Sequence, residues 1–294
     1  MQTQSPVSFL ICTLMAVALN LAASAPSSAA EVVHLTSAVL PPTPFKQRQA
    51  KAQGRELKPE PGVPLWGHLD KPDGAGPFPA VVLMHGCGGL YPTHARWARR
   101  LTDMGYVTLM LDSFRPRSIF DICTRPVRVV SPPYRALDAY GALAYLQGLS
   151  FVDAERIGLI GWSHGGMSAL EAVNDGGLTA RLPRHFRAAV AFYPYCIEDR
   201  RFNLPVLILM GEADDWTPLD RCRELQANNL ENAASVELVA YPGAHHAFDV
   251  ADLQQGLSLK DANGRDHWLQ YHKQAHLDAI GRVRSFLADH LARQ

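Results

Sequence analysis

The sequence predicts an α/β protein built on a mostly parallel sheet with helices on both faces, and three observations carry that prediction. Short apolar runs alternate with helix-like stretches along most of the chain. Several of the runs, Ala80 to Met84 among them, are continuously apolar, as expected of strands covered on both faces. The segments richest in glycine and in reactive side chains follow directly after such runs, where an open parallel sheet presents its functional groups.

The chain has 294 residues, 47% hydrophobic and 19% charged, enough for one large core. No linker-like stretch or internal repeat divides it, so one domain over 63–294 is expected. Lys plus Arg (28) equals Asp plus Glu (28), giving a net charge of +0. With no basic run, neither nucleic acid nor a membrane surface is an expected partner. The oligomeric state stays open.

Residues 1–30 contain no Asp, Glu, Lys or Arg, are mostly apolar from Val7 to Ala23, and end in Ser28-Ala29-Ala30. This reads as a signal peptide cut after Ala30, with Ala25 as the alternative, although a basic n-region is missing. The mature protein is then periplasmic or secreted. Cys12 leaves with the leader, and Cys87, Cys123, Cys196 and Cys222 remain. An even count in an oxidising compartment permits two disulfides, with three connectivities open. No C-x-x-C pair exists, so no metal site is expected, and no cofactor is called for.

Residues 31–62, with Pro41-Pro42 and Pro44, read as an irregular lead-in. Val63 to Leu69 is a short strand, followed by a Pro/Gly turn cluster. Ala80 to Met84 is a buried strand ending in His85-Gly86-Cys87-Gly88-Gly89. Thr93 to Met104 is helical and closed by Gly105. Tyr106 to Leu111 is a strand, Asp112 to Val130 a long loop, and Pro132 to Gln147 a helix opened by proline. Ile157 to Ile160 is the next strand, with a helix to about Val173. Strands follow at 188–192, 206–210 and 236–240, a helix lies between the last two from Pro218 to Leu230, and a long helical pattern runs from Trp268 to Leu291.

Gly161-Trp162-Ser163-His164-Gly165 satisfies G-x-S-x-G between a strand and a helix, the pattern of a nucleophile elbow. A serine at so sharp a turn sits in strained backbone, and a side chain at either flanking glycine would collide with neighbouring chain. Asp214 and Asp215 follow the strand at 206–210, and His245 and His246 follow the strand at 236–240. Serine, carboxylate, histidine is the chain order of the α/β-hydrolase fold. A hydroxyl becomes a competent nucleophile when an imidazole takes its proton, and a buried carboxylate fixes the imidazole tautomer. The glycines around Cys87 allow backbone N–H groups to turn inward, so the N–H groups of Cys87 and His164 form the expected oxyanion hole. His272 and His276, four apart on the last helix, read as a solvated face.

Through Pro79 to Leu90, Gly161 to Gly166, Gly211 to Pro218 and Tyr241 to Phe248, the chain resembles the dienelactone hydrolase family of the α/β-hydrolase superfamily. The resemblance selects Asp214 over Asp215 and His246 over His245. It also implies Cys87–Cys123 and Cys196–Cys222 disulfides. The chain departs from the family's namesakes in carrying Ser163 where they use cysteine. Those enzymes hold a substrate carboxylate with arginines, which makes Arg115 and Arg117 candidate substrate ligands, with Trp162 and Trp216 beside the motifs as candidate pocket walls. The expected activity is hydrolysis of a small carboxylic ester or lactone through an acyl-enzyme: Ser163 attacks, His246 moves the proton and Asp214 orients His246. A peptidase or amidase on the same fold, and a non-catalytic binding protein, are the alternatives.

Overall fold

The computed structural model describes residues 1, 30–57, 61–126, 128–229 and 236–293. The expected signal peptide, Cys12 included, lies outside the described residues except at its two ends.

Eight strands form the central sheet: β1 (Glu31–Thr36), β2 (Pro64–Asp70), β3 (Phe78–Met84), β4 (Val107–Asp112), β5 (Val152–Trp162), β6 (Ala188–Phe192), β7 (Val206–Gly211) and β8 (Val236–Tyr241). Their order is β1-β2-β4-β3-β5-β6-β7-β8. β1 and β2 run antiparallel at one edge, and β4 to β8 with β3 are parallel. The continuous apolar runs explain the centre. Every residue of β4, β6 and β7 is buried, because helices cover both faces. The covering helices are α1 (Pro44–Ala52), α2 (Pro92–Asp103), α3 (Pro132–Gln147), α4 (His164–Ala172), α5 (Leu219–Ala227) and α6 (Lys273–His290). A two-stranded hairpin, β9 (Leu257–Lys260) and β10 (Asp266–Leu269), stands outside the sheet.

The topology places the site. After β3 the chain steps outward to β4, then crosses back to β5 on the other side of β3. Adjacent strands whose connections leave in opposite directions open a crevice at their carboxyl ends. The loop after β3 and the turn after β5 flank that crevice.

Two expectations are corrected. The lead-in at 31–62 is not irregular throughout. Glu31–Thr36 pairs with β2 along its full length, its β-branched run supplying an edge strand with Val33 turned inward. Thr43 then caps α1, its hydroxyl accepting from the N–H of Lys46 at 3.2 Å, with Pro44 at the first helical position, a start signal legible in the sequence. The long helical pattern starts at Lys273, because Trp268 and Leu269 belong to β10. The Asn263-Gly264 pair at the hairpin tip is the turn signal that marks this strand pair.

Candidate active site

Ser163 follows β5 with φ 52° and ψ −117°, a conformation that only a tightly determined surrounding sustains. The flanking glycines make the turn possible. A Cβ on Gly161 would stand 2.1 Å from Gly165 O, and one on Gly165 would stand 2.1 Å from Met84 O. The serine is thereby lifted to the N-terminus of α4, where the helix dipole favours negative charge.

His246, in the loop after β8, reaches Ser163: Nε2 lies 3.0 Å from Oγ. Its Nδ1 lies 2.7 Å from Oδ2 of Asp214, in the loop after β7. Nδ1–H donates to the carboxylate, so Nε2 is left to accept from the hydroxyl. His246 and Asp214 are 3% and 6% exposed. Burial alone would raise the Asp214 carboxyl. The neighbouring His246 and the donors of Thr217 outweigh it and hold the group below the usual carboxylate range. Those donors are the Thr217 N–H (2.9 Å) and hydroxyl (2.7 Å), beside the Trp216 N–H (2.9 Å).

The doubled residues are told apart by where they face. Asp215 turns outward and accepts from the N–H of Trp268 at 3.3 Å, with His267 Nδ1 also at 3.3 Å. It thus ties the β9–β10 hairpin to the loop after β7. His245 Nδ1 is buried without a hydrogen-bond partner.

Cys87 and His164, whose N–H groups were expected to hold an oxyanion, both line the cavity that Ser163 opens into. A Cβ built on Gly86 would lie 3.6 Å from Ser163 Cβ, so the loop after β3 is packed directly against the elbow. The cavity measures about 360 Å³, the lower end of small-molecule sites. Its wall is mainly apolar: Ile122, Cys123, Met167, Tyr195 and Trp216. The Cys87–Cys123 disulfide stands in that wall and staples the long loop after β4 to the loop after β3. A second disulfide joins Cys196 and Cys222.

Of the four side chains expected to contact substrate, only Trp216 lines the cavity, with its ring 5.2 Å from that of His246. Trp162 does not. It is 2% exposed, stacks on Phe192 and donates to Asp249 at 2.9 Å, because the residue before the elbow serine still belongs to the strand and packs in the core. Arg117 makes a two-pronged bond to buried Asp138 at 2.7 and 3.0 Å, and is committed to holding its loop on α3. Arg115 is largely exposed and lies 3.8 Å from Asp112. Arg128 of the same loop is the arginine that lines the cavity. His272 caps α6, accepting from Ala275 N–H at 3.2 Å. His276 is only partly exposed and sits against Tyr271 and Trp97, so the pair is not a solvated face.

Three contributors were missed in the sequence. Thr217 braces Asp214, as above. Asp249, 1% exposed, accepts from Trp97, Trp162 and Tyr193 at 2.8, 2.9 and 2.6 Å. Since Tyr193 packs edge-on against His246, with ring centroids 4.6 Å apart, Asp249 ties the elbow strand to the histidine's surroundings. Arg135, fully buried, sits behind the elbow with Nη1 3.0 Å from His164 Nδ1. Asp249 and Arg135 act through residues distant in sequence, which no local motif marks; Thr217, three residues after Asp214, is the one whose spacing was open to view.

A mostly parallel eight-stranded sheet with a strained serine between β5 and α4 defines an α/β-hydrolase. The model of the dienelactone hydrolase family matches residues 65–291, and the chain belongs to that family, a hydrolase of the carboxylic ester and lactone class. It is 28% identical over 200 residues to a protein of Bradyrhizobium named as a probable 2-oxo-3-(5-oxofuran-2-ylidene)propanoate lactonase, covering 62% of this chain and 77% of that one. Among solved structures, a dienelactone hydrolase-like promiscuous phosphotriesterase from metagenomic libraries superposes with a TM-score of 0.64 at 16% identity, over 90% of this chain and 99% of that one. The dienelactone hydrolase of Anabaena variabilis gives 0.55 at 21%, over 78% and 93%. At these identities the two structures speak to the fold.

Proposed function

We propose that this protein is an exported serine hydrolase that cleaves small carboxylic esters or lactones through an acyl-enzyme. One observation carries the reading: Ser163 Oγ, His246 Nε2 and Nδ1, and Asp214 Oδ2 form a continuous chain at 3.0 and 2.7 Å, opening on a small cavity. Ser163 attacks the carbonyl as its proton passes to His246. The tetrahedral oxyanion is received by the N–H groups of Cys87 and His164, and each such donor is worth about 3–4 kcal/mol of transition-state stabilisation. His246 returns the proton to the departing alkoxide, and Asp214 stabilises the imidazolium in between. Water then attacks the acyl-serine by the same path. In a lactone the alkoxide stays attached to the acyl group, so ring opening and release follow from one cycle. The lactonase name of the Bradyrhizobium relative supports including lactones.

Export rests on the apolar, uncharged leader and on the two disulfides. Cleavage after Ala30 would leave β1 intact from its first residue, Glu31. Among the described residues no helix is long and apolar enough to cross a membrane. N-terminal sequencing of the mature protein tests this: a start at Glu31 supports the reading and an uncleaved Met1 in a cytosolic fraction refutes it.

The chemistry is tested with a fluorophosphonate probe and peptide mapping. A single adduct on Ser163, and loss of p-nitrophenyl ester turnover in Ser163→Ala, are expected. An adduct elsewhere, or full turnover in Ser163→Ala, would sink the proposal.

A further inference from the structure

One wall of the cavity beside Ser163 carries a hydrogen-bond donor whose state the protein interior fixes. His164 is a lining residue of the cavity, and its side-chain Nδ1 lies 3.0 Å from Nη1 of Arg135. A guanidinium has no lone pair to offer, so Nδ1 must accept and the ring proton must sit on Nε2. Arg135 cannot swing away. It is fully buried, donates to His85 O at 2.8 Å and lies 5.1 Å from the Phe114 ring. Burial first, and the Arg135 charge second, push the His164 imidazole down to about 3, so the ring is neutral throughout the working range of an ester hydrolase. The described residues give Nε2 no partner, and it is not among the sealed polar atoms. Its N–H therefore keeps some exposure, on a residue that lines the cavity.

A fixed donor on a mainly apolar wall discriminates. A ligand that cannot accept leaves the N–H dry and unpaired, whereas one with an acceptor in reach satisfies it. The guanidinium on the opposite nitrogen polarises the ring and strengthens the donor. We infer that His164 Nε2–H reads the substrate, and that the preferred ester or lactone carries a second oxygen acceptor, an ether, keto or ring oxygen, near the carbonyl that Ser163 attacks. The inference rests on the serine-hydrolase reading above.

The test uses ester pairs that differ by one CH₂ replaced by oxygen: p-nitrophenyl butyrate against methoxyacetate, and valerate against 3-methoxypropionate, which moves the oxygen by one bond. Each kcat/KM ratio is divided by the ratio for alkaline hydrolysis, which removes intrinsic reactivity. The wild-type protein should favour the ether ester of at least one pair by about five- to tenfold, the range of one polarised hydrogen bond. His164→Phe should bring the corrected ratio to about one, and His164→Gln, which restores an N–H, should recover part of the preference. A wild-type corrected ratio of about one in both pairs overturns the inference, and this measurement needs no folded variant. So does a His164→Phe protein that loses rate equally on both members of each pair, which would assign the ring to general support of the oxyanion. Ser163-dependent turnover without an ether preference rejects the role of His164 alone. Full turnover in Ser163→Ala rejects the serine-hydrolase reading, and this inference with it.

Discussion

The two sides of the cavity are built differently. One side, Ser163 with His246 and Asp214, stands on the ends of β5, β8 and β7 and is wired to the interior by hydrogen bonds of 2.6–3.0 Å through Thr217, Tyr193 and Asp249. The other side comes from two excursions: the loop after β4, fastened by the Cys87–Cys123 disulfide, and the largely exposed β9–β10 hairpin, anchored through Asp215. Groups that move protons need positions fixed to a fraction of an ångström, and strand ends in a packed sheet supply that. A wall that selects among substrates can be rebuilt from loop to loop without disturbing the core. The contrast teaches that mutations of the wired side should act mainly on the chemistry and those of the loop side mainly on substrate choice, with His164, next to the elbow, as the point where the two meet.

The largest effect is expected on the wired side. Ser163→Ala and His246→Ala should each lower kcat on a p-nitrophenyl ester by about a millionfold, and the double variant by no more than either single one. Additive losses would show that the two side chains do not act as a unit. Asp214→Asn should cost about ten-thousandfold in kcat, because an amide no longer enforces the Nδ1–H tautomer; a loss under tenfold would deny Asp214 that part.

The surroundings of the elbow store a pH liability. Burial first, then the Arg135 charge, keep the His85 ring well below its ordinary range. Burial, above all, takes His94 down to about 4, and burial with Arg135 takes His164 to about 3. In the unfolded chain these rings protonate near about 6.5. Below that pH the unfolded state binds more protons, so the stabilisation is complete above about 6.5 and is lost as pH falls toward 4, at no more than about 1.4 kcal/mol per pH unit per ring. Urea midpoints should therefore fall between pH 7 and pH 5, by an amount corresponding to a few kcal/mol. A flat profile would show that the rings are not held neutral.

Smaller effects follow. Thr217→Val removes the hydroxyl 2.7 Å from Asp214 Oδ2 and should reduce kcat about tenfold. On the loop side, Asn263→Ala at the hairpin tip should shift KM about threefold and kcat less. A kcat loss as deep as that of Thr217→Val would mean that the hairpin supports the chemistry as well as the wall.

Much of the wired side could be read along the chain, because its parts are local. Gly161 and Gly165 are dictated by backbone collisions two residues from Ser163, and each reactive side chain follows a strand of the sheet, those before Ser163 and Asp214 being apolar and buried at their carboxyl ends. The rest was hidden for an equally physical reason. Trp162 looks like a pocket residue beside the motif, but strand alternation turns it into the core. Arg117 looks like a substrate ligand until Asp138 of α3, 21 residues on, is seen to claim it. The antiparallel pairing of β1 depends on β2 offering its free edge, which no window of sequence contains.

What the sequence by itself determined is the succession of strands and helices from β2 to β8, the elbow and the set of residues able to carry the chemistry, since these follow from short-range periodicity, glycine sterics and spacing. Only the tertiary structure decided where Asp215 and His245 turn instead, which arginine lines the cavity and which is locked in an ion pair, and which nitrogen of His164 keeps its proton. Those choices depend on contacts between segments far apart in the chain, and the core settles them by leaving each polar group one place where it can be satisfied.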